Sequence, residues 1–185
     1  MKTQATASLL AALTVLGLAA CAVPHAPTTA PFSQAALPEA VKVPAGHQVA
    51  IEAAAAGDIT YECRAKKDAA GVFDWAFVGP DAGLKSRDGK VMGKYYGPPA
   101  TWEHSDGSKV SGAQVAVAPA GAGAIALQLV KANPVSDEGA LQGVSYIQRV
   151  ATQGGVPPST PCTSALQGQR QVVRYQADYI FWRAG

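Results

Sequence analysis

Apolar and polar residues alternate with a period of two along much of the chain beyond His47. Alternation of this kind places successive side chains on opposite faces of a strand and predicts half-buried β-structure. It is clearest near the C-terminus. There Val173, Tyr175, Ala177, Tyr179 and Phe181 fall on one face, and Arg174, Gln176 and Asp178 on the other. Ile59, Tyr61 and Cys63 likewise oppose Thr60, Glu62 and Arg64, and Phe73, Trp75 and Phe77 repeat the pattern within Val72–Val78. Further strands are expected over His47–Ala55, Val115–Val117 and Ala124–Val130, the last with Ile125, Leu127 and Leu129 facing one way. Within Val144–Val150, the stretch Ser145-Tyr146-Ile147-Gln148-Arg149 fits a strand or a short helix.

The segments are punctuated by turn residues. Gly57-Asp58 is expected to turn the chain, and Gly79-Pro80-Asp81 to end a strand. Asp88-Gly89 and Asp106-Gly107 are hairpin signals, because the favoured two-residue turns need positive φ. Asn133–Gly139 and the proline-rich Gly154–Thr163 read as loops. The expected fold class is all-β: an antiparallel β-sandwich or β-barrel of roughly eight strands. The pattern leaves both architectures open, within a single domain over residues 45–185.

Upstream the pattern changes. Met1-Lys2 is followed by an uncharged apolar stretch from Ser8 to Ala20. This is shorter than the roughly 20 apolar residues a membrane-spanning helix needs, and it reads as an export signal over residues 1–20. Leu18-Ala19-Ala20-Cys21 resembles the lipobox of bacterial lipoproteins. The resemblance implies cleavage before Cys21 and lipidation of its thiol, hence a membrane anchor at the cell envelope. Ala22 in place of Asp leans toward an outer membrane. Residues 21–44, rich in Pro, Ala and Thr, are expected to form a tether.

Charge adds an exclusion. The net charge of +2 falls to +1 once Lys2 is removed, and no long basic run exists, so a nucleic-acid partner is not expected. Cysteine usage agrees with export. With Cys21 assigned to lipid, Cys63 and Cys162 remain as an even pair, 99 residues apart. They read as a disulfide in an oxidising compartment, or else as two separate buried thiols.

Candidate chemistry concentrates in Trp102-Glu103-His104-Ser105-Asp106. An exposed aromatic beside Glu103, His104 and Asp106 would suit a glycan, by ring stacking and hydrogen bonds. The alternative is a small hydrolase or metal-assisted enzyme using Glu103, His104 and Asp106 for acid–base chemistry. On a strand, however, Glu103 and His104 point to opposite faces, and Trp102 could simply fill the core. A metal would require His47 and His104 to converge with a carboxylate, without motif spacing; no metal or cofactor is expected. No Gly-x-Ser-x-Gly elbow occurs. Gly121-Ala122-Gly123-Ala124-Ile125-Ala126 matches the dinucleotide fingerprint loosely, but a strand rather than a helix follows it. Trp75, Tyr95, Tyr96, Tyr179, Phe181 and Trp182 either line a ligand cavity or fill the core. The partner classes that fit are a glycan, a small apolar ligand or an envelope protein.

Taken in order, several short motifs point to one family. They are Phe77-Val78-Gly79-Pro80, Tyr96-Gly97, Thr101-Trp102-Glu103, Asp106-Gly107-Ser108-Lys109-Val110 with Gly112, and Tyr146-Ile147-Gln148-Arg149-Val150 with Thr152, Gly154 and Gly155. Cys162 and the closing Tyr175, Ala177-Asp178-Tyr179 and Phe181 complete the set. Over Val43 to Phe181 the chain resembles the secreted bacterial and fungal family called domain of unknown function 3455. One departure is the doubled Pro98-Pro99, where a single proline is expected. The resemblance implies export and a β-rich domain, and it carries over no catalytic residue or cofactor.

Overall fold

The computed structural model describes residues 30–133 and 138–185. The expected signal segment and the lipidation site Cys21 lie outside the described residues. Eight strands follow one another as β1 (His47–Ala65), β2 (Phe73–Lys85), β3 (Val91–Tyr96), β4 (Thr101–His104), β5 (Lys109–Ala118), β6 (Leu127–Ala132), β7 (Val144–Gly154) and β8 (Arg170–Ala184). Each pairs antiparallel with its neighbours in chain order, and β8 pairs with β1, so the sheet closes into a barrel. Closure runs through the short β3 and β4: beyond them, Phe73–Pro80 of β2 pairs only with β1, and Ala113–Ala118 of β5 only with β6. Of the two architectures left open by the pattern, the chain adopts the barrel.

Two expected interruptions are absorbed inside long strands. β1 runs unbroken through Gly57-Asp58. A Cβ at Gly57 would collide with Asp81 O and Ala82 Cα, so the glycine permits a close approach of β2 rather than a turn. Gly79-Pro80-Asp81 likewise continues β2, where a register shift at Thr60/Tyr61 marks a bulge. Pro80 lies just before Asp81, where pairing with β3 begins, a place where a missing N–H is tolerated. Asp88-Gly89 and Asp106-Gly107 do turn the chain, between β2 and β3 and between β4 and β5, with φ of 86° at Gly89 and 91° at Gly107. Ser145–Arg149 is strand.

The interior is apolar and aromatic. Tyr95, Trp102, Tyr179 and Phe181 form a packed layer, with Tyr95 stacked on Trp102 at a centroid distance of 4.7 Å and Trp102 edge-on to Tyr179 at 5.5 Å. Cys63 and Cys162 are joined, with Cα atoms 5.5 Å apart. The bridge pins the segment between β7 and β8 to β1. Trp75 Nε1 adds a bond to Thr160 O at 2.7 Å, and Cys63 exchanges backbone bonds with Gly168 and Gln169.

A second core lies outside the barrel wall. The segment Phe32–Val43, expected from its composition to be tether, packs across β5–β8. Val41 and Val43 are buried with Ala118, Leu129, Val150, Ile180 and Trp182 beneath them. Burying a valine stabilises by roughly 1.5–3 kcal/mol, enough to hold a segment without strands of its own down where its large apolar residues are suitably spaced. Gln148 fixes the strap. Its Nε2 donates to Val41 O at 2.6 Å and to Gln34 Oε1 at 3.0 Å, while its Oε1 accepts from Trp182 Nε1 at 2.9 Å. Phe32–Gly185 is one compact unit.

Candidate functional site

An up-and-down barrel separates its loops into two ends. One end carries the β2–β3 and β4–β5 turns and the β6–β7 connection. The other carries the segments 97–100, 119–126 and 155–169. The residues singled out from sequence sit at the first end.

Trp102 is 1% exposed and held in the aromatic layer, so it offers no ring face to a sugar. Glu103 is on the outer surface. Its carboxylate accepts from Tyr96 OH at 3.0 Å and lies 3.5 Å from Lys94 Nζ and 3.4 Å from Lys109 Nζ. Partial burial pushes this carboxyl up, but the Tyr96 hydroxyl and the two lysines outweigh it and hold the group below its ordinary value. The β3–β4 and β4–β5 pairings contain no register shift. Glu103 and His104 therefore keep opposite faces, and no hydrogen bond or ion pair between them occurs. Both line a shallow open groove of about 250 Å³ and border a small apolar void beside Trp102, Met92 and Leu141.

His104 Nδ1 approaches Asp106 Oδ1 at 3.1 Å, but the Asp106 carboxylate is already committed. Oδ1 accepts from Ser108 Oγ at 2.7 Å and Ser108 N at 2.9 Å, and Oδ2 accepts from Ala140 N at 2.7 Å. The Ser108 hydroxyl and the Ala140 and Ser108 amides hold this carboxyl far below the usual range. Ser108 is itself buried and accepts from Leu141 N at 3.2 Å. The cluster thus clamps the β4–β5 turn to the β6–β7 connection. Among the described residues, no group of three His, Cys, Asp or Glu side chains is placed to hold a metal.

The larger feature is at the other end. A cavity of about 660 Å³ opens there, with Tyr95 in its floor. Its walls are mostly apolar: Ile59, Phe77, Val117, Ile125, Val156 and Pro157. Phe77, Val117 and Val156 remain 53%, 47% and 38% exposed, so large exposed apolar side chains gather at one cavity rather than standing singly. The polar part of the lining is Gln114, Gln128 and Arg149 on adjacent strands. Arg149 lies opposite Gln128 on β6 and Tyr179 on β8, and Gln128 lies opposite Val117 on β5. Of the aromatics that could have lined a cavity, Tyr95 does so while also packing in the core. Trp182 lies under the strap outside the barrel.

Arg149 escapes a reading by alternation. On β7, Ile147 and Arg149 face inward, while Gln148 and Val150 face outward but are buried by the strap. With both faces buried, the period-2 contrast vanishes. The available signal was an arginine in phase with a buried isoleucine two residues before it.

A family model described as "Protein of unknown function (DUF3455)" matches residues 44–183. No curated protein and no solved structure matches the chain.

Proposed function

From a chain that belongs to the DUF3455 family, we propose an exported, lipid-anchored and non-catalytic envelope module that takes up a small ligand at the open end of its barrel. The observation that carries the reading is the cavity of about 660 Å³ over the Tyr95–Trp102 layer, apolar-walled and with exposed Phe77, Val117 and Val156 in its lining. A concave, largely apolar site of some hundreds of Å³ with a few convergent polar groups is what a small-molecule site requires. The Cys63–Cys162 bridge supports export, because such bonds persist in oxidising compartments. The anchor rests on Leu18-Ala19-Ala20-Cys21. With several acyl chains on one cysteine, each methylene contributing ~0.8 kcal/mol, attachment to a bilayer would be stable.

A second reading, a hydrolase on Glu103, His104 and Asp106, draws on the 3.1 Å approach of His104 to Asp106. Against it stand the three protein donors on that carboxylate and the opposite facing of Glu103. The two readings separate in one comparison. Protein purified from envelope membranes is labelled with palmitate, extracted with organic solvent, and assayed on simple esters. Lipid on Cys21, an extractable small molecule and no ester hydrolysis support the binding module. Ester hydrolysis abolished by His104→Ala would overturn it.

A further inference from the structure

The cavity contains a cation without a counter-charge. Arg149 faces inward on β7, half-buried among the lining residues. Its Nε and Nη2 both donate to one backbone acceptor, Ala126 O, at 3.2 and 2.9 Å. That contact orients the guanidinium and leaves donors over from its five N–H groups. Arg149 is in none of the ion pairs formed among the described residues. Its charge is felt well inside the barrel. Burial pushes the Tyr61, Tyr95, Tyr175 and Tyr179 hydroxyls up, and the guanidinium opposes this at all four. Beside it, Gln128 Nε2 donates to Gln114 Oε1 at 2.7 Å, so the polar groups form one edge of the lining. The rest of the lining includes the hydrocarbon of Ile59, Phe77 and Val156 and the Tyr61 ring, whose hydroxyl is committed to Gly155 O at 2.8 Å.

We infer that the ligand is a free monoanionic amphiphile. Its carboxylate or similar oxyanion pairs with Arg149, and its apolar body lies against Ile59, Phe77, Ile125 and Val156. The assignment follows from complementarity. A partly desolvated guanidinium is costly without an anion, and charge-assisted N–H···O⁻ bonds are the stronger class. The inference rests on the cavity being the binding site and adds the sign and number of charges on what enters it.

The test separates those two layers. Octanoate, octylammonium and octanol are titrated calorimetrically into the full mature protein in zwitterionic nanodiscs, with empty discs subtracted. Octanoate should bind at least about tenfold more tightly than either of the others, the ratio one charge-assisted contact gives. Arg149→Gln should abolish the preference, and Arg149→Lys should keep part of it. Val117→Glu guards against misfolding of the Arg149 variants. Residue 117 is solvent-exposed in the lining and opposite Gln128, so the new carboxylate can reach Arg149 and should exclude octanoate. Equal binding of all three probes would overturn the charge assignment and leave the cavity reading standing. Binding of none of them would overturn both.

Discussion

The bridge between Cys63 and Cys162 allows a stability effect to be worked out in advance. The two residues are 99 apart in sequence, and the loop they close contains every strand from β2 to β7. In the chain-entropy account, closing a loop of about 100 residues removes about 4.7 kcal/mol of freedom from the unfolded chain. The double variant Cys63→Ala/Cys162→Ala should lose about 4–5 kcal/mol on that basis. With a urea slope of about 2 kcal/mol/M, the unfolding midpoint should fall by about 2 M. The slope itself should rise, because an uncrosslinked denatured chain is more expanded and exposes more surface. Fluorescence reports the transition well, since Trp75, Trp102 and Trp182 are all buried. A midpoint shift below about 0.5 M with an unchanged slope would refute the reasoning. It would mean that the noncovalent ties, Trp75 to Thr160 and Cys63 to Gly168 and Gln169, hold the β7–β8 segment unaided, and that the crosslink constrains the denatured state little.

Three further outcomes follow from individual side chains. Trp102→Ala should cost about 3–5 kcal/mol in urea unfolding. Trp102→Phe should cost much less, because the indole Nε1 is buried without a partner and its removal strands no acceptor. Gln148→Leu should cost about 2–4 kcal/mol, since Val41 O and Trp182 Nε1 lose their bonds inside the outer core. Proteolysis of that variant should begin in Phe32–Val43. Glu62 accepts from Arg64 and Arg170 at 2.8 Å each, and these bonds lower its carboxyl to about 2. A value depressed on folding contributes stability that is complete above the unfolded value, about 4.3, and is lost as pH falls toward the folded one. Glu62→Gln should therefore lower Tm above about pH 5 and flatten its acid limb, with the two proteins converging below about pH 2.

The class of fold was legible because most strands keep one wet face. β8 is the clearest case: Tyr175, Ala177, Tyr179 and Phe181 all point into the barrel as their alternation indicates. The same strand shows where the pattern stops being informative. Ile180 and Trp182 are equally buried, but against the strap rather than in the barrel. The strap was hidden because it lies at the end of a Pro-, Ala- and Thr-rich stretch, residues 21–44, while only a few large apolar residues, Phe32, Leu37, Val41 and Val43, seat it. Gly57-Asp58 and Gly79-Pro80-Asp81 carry turn chemistry but sit within strands, because a small barrel needs close approaches and bulges as well as turns. The Asp106-Gly107 step turns the chain as its residues indicate; Trp102 packs in the core and Asp106 bonds to the β6–β7 connection, while Glu103 lies on the outer surface. The cavity assembles lining residues from six strands and the segments that join them, a juxtaposition that local spacing does not encode.

Native mass spectrometry of the wild type beside Val117→Glu, both released from envelope membranes, tests the account most directly. It should find a polypeptide beginning at a lipidated Cys21, with Cys63 and Cys162 oxidised. A noncovalent small-molecule adduct should be present on the wild type and lost in the variant. Recovery of both proteins from the cytosol with residues 1–20 attached, thiols free and no adduct on either would contradict it.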